Sequence, residues 1–279
     1  MLRISRTPDR WLLDLLDCVS GVAAGQSIAF FVVGAMARDV VFELAHDIEA
    51  ARRTEDIDLG LRVASWDEFQ RLIEALTTTG RFAKTRARQR FMFDDVIRLD
   101  VVPFGDIAQD DQIRWPPDFA IEMNVAGLME AYSAALVVRL RDKPTLDVPF
   151  ASPAGLAAMK FIAWRDRARD QRIKDAEDLA FIIRHYLDIE EVERVTRDFP
   201  QWLEGDFDYE RASAELLGFD VSRLTRGRAW GRVMNVVQVA LKQGLESPLL
   251  LEMSGPNASG PAVARMRDLL SAFDSGARR

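Results

Sequence analysis

The sequence predicts an α+β protein, with an α/β-type N-terminal domain built on a mixed sheet and a mostly helical C-terminal domain. Strand-like and helix-like apolar periods interleave over roughly the first 145 residues, as they do where helices cover a sheet. Helical spacing alone then runs over roughly 150–250. The stretch "SGPNASGP" at 254–261 has the composition of a flexible linker. The expected domains are therefore 1–148, 149–253, and a linker with a short terminal helix over 254–279.

Thr7-Pro8 offers a hydroxyl N-cap and a proline suited to the first helical turn. Trp11, Leu12, Leu15, Leu16 and Val19 follow at helical spacing, ended by Gly21 or Gly25. Ile28–Val33 is a strand-sized apolar run that stops at Gly34, where "AMARDVVFELA" begins a helix. The polar stretch "HDIEAARRT" leads to "RTEDIDLGL", which has the alternating beat of a strand. Ser65-Trp66-Asp67-Glu68 reads as a capped start for a helix closed by Gly80. Two strand-like runs, Phe82–Phe93 and Val96–Pro103, flank a hairpin turn at Asp94-Asp95. Ser152-Pro153 is a second cap-plus-proline start, before three helical segments: "AGLAAMKFIAWRD", "AEDLAFIIRHY" and "AWGRVMNVVQVALKQGL".

Composition narrows the chemistry. The chain has 279 residues, 48% hydrophobic and 29% charged, ample for a globular core. Its net charge of −7 argues against coating nucleic acid by bulk electrostatics. No apolar run reaches the roughly 20 residues of a membrane span, and the first residues lack an apolar signal segment. A single cysteine, Cys18, leaves no intrachain disulfide and no cysteine-rich zinc site; a cytoplasmic location is the plain expectation. With only His46 and His185 present, any chemistry must run mainly on carboxylates and basic residues.

Asp56 and Asp58 stand two apart in a strand pattern, which puts both side chains on one face, roughly 7 Å apart at the backbone. Like charges that close repel unless something positive lies between them. A hard divalent ion such as Mg²⁺, which takes one or two carboxylates and keeps positions for phosphate oxygens, answers that need. Asp100, in the otherwise apolar "VIRLDVVPF", supplies a third carboxylate at a costly place for an unpartnered charge. Arg98 shares its face by parity and is the ordinary partner. For Asp56 and Asp58 the ordinary alternative is a solvated strand end. "VVGAMARD" adds a strand–glycine–helix turn, where backbone N–H groups meet an anion or the chain merely reverses.

In this order, "VVGAMARD", "RTEDIDLGL" and "RLDVVPF" resemble the nucleotidyltransferase superfamily with the DNA-polymerase-β-type fold. The later "AAMKFIAWRDRARDQRIKDAEDLAFIIRHY" is similar to the lysine-then-(R/K)D-x-x-DL pattern of the AbiEii/AbiGii toxin branch. The likeness spans roughly residues 28–187. It implies that Asp56, Asp58 and Asp100 hold Mg²⁺ or Mn²⁺, with Asp100 also helping to deprotonate the acceptor hydroxyl. It assigns Gly34, Ala35, Arg38, Thr54 and Lys160 to the nucleotide, with Asp175 or Asp178 ordering a helical wall. It also implies an NTP substrate, the tRNA 3′ end as acceptor, and a protein antitoxin as partner. The chain departs from the pattern in having Gly34-Ala35 where Gly-Gly or Gly-Ser is usual. Its gap from Gly34 to Asp56 is also long, implying an extra turn or loop at "HDIEAARR". "GAMARD" echoes tRNA CCA-adding enzymes as well, but their base-selecting motifs have no match here.

On one straight helix, Lys160 and Asp178 would lie roughly 27 Å apart. Either Lys160 alone belongs to a site or the chain bends back near "RDRARDQR". Lys84, Arg86, Arg88 and Arg90 alternate, so an extended chain would show all four on one side, gripping an RNA backbone or guarding a solvated edge. Arg165, Arg169 and Arg172 form another helical face of the same ambiguity, and Trp115 is either a stacking platform or a packed core residue. Two other functions stay open: transfer to a protein or a small molecule such as an antibiotic, and a catalytically silent nucleotide-binding module.

Overall fold

A continuous apolar run in the central strand and alternating apolar positions in its neighbours build the N-terminal sheet. The computed structural model describes residues 1–50, 54, 56–190, 192–203, 207–225 and 227–279, with the side chains of 192, 201 and 203 excepted. Arg53 and Glu55 of the aspartate-bearing stretch, and part of the expected extra loop at "HDIEAARR", lie outside the described residues. Two compact units divide the chain, 1–152 and 153–279.

Among the described residues the first unit has ten strands: β1 Leu2–Arg3, β2 Ala29–Val33, β3 Ile57–Arg62, β4 Phe82–Lys84, β5 Arg90–Phe93, β6 Ile97–Phe104, β7 Gln112–Trp115, β8 Ile121–Asn124, β9 Leu136–Arg141 and β10 Leu146–Phe150. Eight form one sheet in the order β1-β9-β10-β2-β3-β6-β5-β4, and β7 pairs with β8 apart from it. The sheet is mixed, with β3 parallel to β6 and antiparallel to β2. Ile57, Leu59, Leu99 and Val101 are buried on one face of β3 and β6, while Asp58 and Asp100 point to the other, half-buried face.

Its helices are α1 Arg10–Gly25, α2 Gly34–Asp39, α3 Trp66–Thr78 and α4 Leu128–Ser133, and α2 runs on as a wider π turn over Val40–Leu44. Helix α3 starts as its sequence predicts. Ser65 Oγ accepts from the Glu68 N–H at 3.3 Å, and Glu68 reaches back to the Ala64 N–H at 2.7 Å. Helix α1 instead begins at Arg10 after an uncapped Asp9, later than Thr7-Pro8 implies. Asp94 and Asp95 turn the β5–β6 hairpin with φ of +48° and +59°, a conformation aspartate tolerates better than most residues.

Three expectations are corrected. Residues 85–89 fold into a turn, so Phe82–Phe93 is two strands and not one. Strands β7 to β10 are present where the sequence marks no individual strand. The terminal helix is long, as given below. Trp115 is buried against Trp66 and Phe69, with ring centroids 5.1 and 5.6 Å away, and belongs to the core.

Among the described residues the second unit is helical: α5 Pro153–Asp166, α6 Arg169–His185, α7 Val192–Asp198, α8 Tyr209–Leu224, α9 Gly227–Gln243, α10 Pro248–Met253 and α11 Gly260–Ala277. Helix α11 has 18 residues and crosses α8 closely. A Cβ on Gly218 would lie 2.0 Å from the Phe273 carbonyl oxygen, and one on Gly276 would lie 1.8 Å from that of Glu215. Only residues without side chains permit this approach.

Candidate functional site

The polar face of the sheet gathers the charged residues. Asp58 pairs with Val33 on β2 and with Asp100 on β6, so the two aspartates are directly in register on neighbouring parallel strands. Asp56 lies just before β3. Gly34 follows β2 with φ of +69°, and a Cβ there would sit 2.1 Å from Asp58 Oδ2. The glycine turn and the Asp58 carboxylate are therefore in direct contact.

Two arginines share this face. Arg90 lies opposite Asp100 in the β5–β6 register, and its Nε and Nη2 donate to Oδ1 and Oδ2 at 2.8 Å each. The hydrogen bond to Asp100 holds the Arg90 pKa above its ordinary value. Arg98 pairs with Asp56 rather than with Asp100. Thr54 Oγ1 also donates to Asp56, and the Thr54 N–H donates to Asp39 Oδ2 at 3.3 Å. Asp39 is buried with Arg38, whose Nε donates to its Oδ1 at 2.8 Å. Burial pushes the Asp39 carboxyl above the usual range, against the pull of Arg38 and the Thr54 N–H.

These contacts engage several of the expected site residues. Arg38 is buried and its guanidinium donates to Asp39. Thr54 braces Asp56. Arg90 is engaged by Asp100, and Arg88 donates to the Trp115 carbonyl at 2.8 Å and to Asp118 at 3.1 Å. The expected four-residue basic stripe is absent because the turn at 85–89 breaks its alternation, leaving Lys84 and Arg86 exposed. Asp39 was missed in the sequence because nothing in "GAMARD" marks which charges will be buried.

In the helical unit the chain bends back between α5 and α6, at Arg167-Ala168. Lys160 Nζ donates to Asp175 Oδ1 at 3.0 Å and also to Asp178, and Arg167 Nη1 reaches Asp175 Oδ2 at 2.9 Å. Both aspartates are 1% exposed. The lysine and the "D-x-x-D" pair thus form one buried cluster, which a straight helix forbids. Arg172 is held by Glu252 at 2.9 Å and Arg165 by Asn235 at 2.9 Å, so this basic face is partly spent on internal contacts. His46 Nδ1 lies 2.8 Å from the Val41 carbonyl and His185 Nδ1 lies 2.7 Å from Asp188.

Among the described residues, no group of three or more His, Cys, Asp or Glu is arranged to hold a metal. Asp58 and Asp100 nevertheless fit a divalent cation in kind and place: hard oxygens on adjacent strands, in register, beside a close backbone. Mg²⁺ needs no more than one or two protein carboxylates. As arranged, Asp56 is bound to Arg98 instead of joining them.

No helix among the described residues is long and apolar enough to cross a membrane. A search of curated proteins finds no match. Among solved structures, the chain resembles the antibiotic-resistance factor ANT(2'')-Ia at 14% identity and TM-score 0.39, covering 70% of this chain and 96% of that one. It also resembles an antigenic nucleotidyltransferase-like protein from Paracoccidioides brasiliensis (13%, TM-score 0.40, 68% and 89% covered). A third likeness is the Thermotoga maritima CCA-adding enzyme complexed with tRNA (14%, TM-score 0.29, 98% and 84% covered). Likenesses this distant transfer no substrate or partner. The family model described as nucleotidyl transferase AbiEii toxin, type IV TA system, matches residues 20–230, a span that contains the glycine turn, Asp56, Asp58, Asp100 and the lysine cluster. The chain belongs to that family and is a nucleotidyltransferase.

Proposed function

We propose that this chain moves a nucleoside monophosphate from an NTP to an acceptor hydroxyl, at the in-register pair Asp58 and Asp100. The acceptor oxygen bonds to the α-phosphorus as the bond to the β-phosphate's bridging oxygen breaks. Pyrophosphate leaves, and the hydroxyl proton passes to the Asp100 carboxylate. Asp58 and Asp100, with Asp56 as a third ligand, would hold Mg²⁺ or Mn²⁺, which would supply charge neutralisation at the phosphates. Gly34 and Ala35 meet the phosphates through their backbone. The observation that carries this reading is the contact of Gly34 with the Asp58 carboxylate one strand from Asp100.

The acceptor we propose is the tRNA 3′ end, with Lys84 and Arg86 gripping its backbone, in a cytoplasmic toxin restrained by a protein antitoxin. The family description supports the toxin role, and the exposure of these two cations supports the grip. Each NTP, labelled at its α-phosphate, is incubated with the protein, Mg²⁺ and either tRNA, protein extract or small hydroxyl compounds. Label on the 3′ end of tRNA is the expected outcome. Label on protein or a small molecule overturns the acceptor, and NTP binding without Mg²⁺ or pyrophosphate release overturns transfer itself.

A further inference from the structure

The Asp100 carboxylate already has an occupant. Arg90 engages both of its oxygens at 2.8 Å, side by side, in the bidentate geometry that guanidinium and carboxylate favour. The pair is not a loose surface contact. Asp100 is 18% exposed, and the antiparallel register sets the two residues directly opposite each other. A divalent cation on Asp100 would need at least one of the same oxygens and would bring a second positive charge against the guanidinium. Two cations within a few ångströms repel strongly wherever water is partly excluded.

We propose that Arg90 is a latch on Asp100: guanidinium and metal compete for one carboxylate, and nucleotide phosphate, by accepting the released guanidinium, favours the metal-bound state. The inference rests on the reading of Asp58 and Asp100 as metal ligands. Arg90 is a positioning residue in it. Its side chain is 37% exposed and shares the polar face with Asp58, whose charge it also feels, so it has room to leave Asp100 without leaving the site. The physical consequence is coupling. Metal binds weakly alone because it must displace Arg90, and binds better with nucleotide because the displaced charge gains an anionic partner.

The test is Mn²⁺ affinity of the full chain, read by electron paramagnetic resonance of free Mn²⁺, with and without a non-hydrolysable NTP. Arg90→Gln is expected to bind Mn²⁺ about fivefold more tightly than wild type without nucleotide, the size of a partly exposed ion pair. The tightening caused by nucleotide is expected to shrink by a similar factor. Arg90→Lys, which keeps the charge and loses the fork, should fall between them and decides the matter if the glutamine variant fails to fold. Affinity equal to or weaker than wild type in the folded variants overturns the latch, and if label transfer persists in wild type, the latch alone is lost. Absence of Mn²⁺ binding in wild type even with nucleotide overturns both the latch and the metal site.

Discussion

The carboxylate of Asp58 fills the space where a side chain at position 34 would begin: a Cβ on Gly34 would lie 2.1 Å from Oδ2. The same glycine holds φ of +69°, a conformation that costs a residue with a Cβ about 1–2 kcal/mol. Two independent demands thus fall on one residue, one from the backbone turn and one from the neighbouring acid.

Gly34→Ala is expected to lower stability by about 1–2 kcal/mol and to push Asp58 off its position. Pyrophosphate release should fall by more than the loss of folded protein explains. Urea unfolding and initial rates on the same preparation separate the two effects.

Lys160 and Asp178 are buried enough that removing one partner leaves an uncompensated charge. Lys160→Met should cost about 3–5 kcal/mol in urea unfolding, although Arg167 remains on Asp175. The double variant Lys160→Met/Asp178→Leu should recover part of that loss, which a double-mutant cycle measures.

Among the four alternating basic residues, exposure sorts the functions. Alanine at both Lys84 and Arg86 is expected to raise KM for the acceptor several-fold, leave KM for the NTP unchanged, and flatten the salt dependence of acceptor binding. Arg88→Ala should show itself mainly as lost stability, because its guanidinium ties the 85–89 turn to Trp115 and Asp118.

Arg265 on α11 bonds Asp208, the N-cap of α8, at 2.7 Å through Nη1 and Nη2. That hydrogen bonding lowers the Asp208 pKa from 3.8 to about 2. The folded pKa is depressed, so the contribution is fully present above about pH 4 and is lost as pH falls from there towards 2. Thermal midpoints measured across that window should drop less steeply in Asp208→Asn than in wild type, and by a modest margin, because the pair is more than one-third exposed.

The sequence made visible those parts of the fold that depend on local chemistry. Ser65 with Glu68, Asp94-Asp95 and Ser152-Pro153 each announce a turn or a cap through their own side chains, and each sits where the structure uses it. Partnerships set by register were out of reach. A two-residue loop at Asp94-Asp95 would place Gln89 opposite Asp100, whereas the observed loop includes Val96 and puts Arg90 there. One extra residue thus decides which side chain meets the acid. The alternation from Lys84 to Arg90 misled for a related reason: Thr85 Oγ1 accepts from the Ala87 N–H and closes a turn that periodicity cannot reveal. The distance between Lys160 and Asp178 on a straight helix leaves a bend as one of two options, and the contacts of Lys160 with both aspartates show that the chain bends, at Arg167-Ala168.

Asp58→Asn tests the central claim most directly. The substitution keeps size and shape while removing the charge that a cation would bind. Pyrophosphate release with the accepted NTP should fall on the order of a hundredfold or more, with the urea midpoint essentially that of wild type. Turnover at the wild-type rate in a normally folded variant would contradict the account, for the in-register aspartates would then have no part in the chemistry.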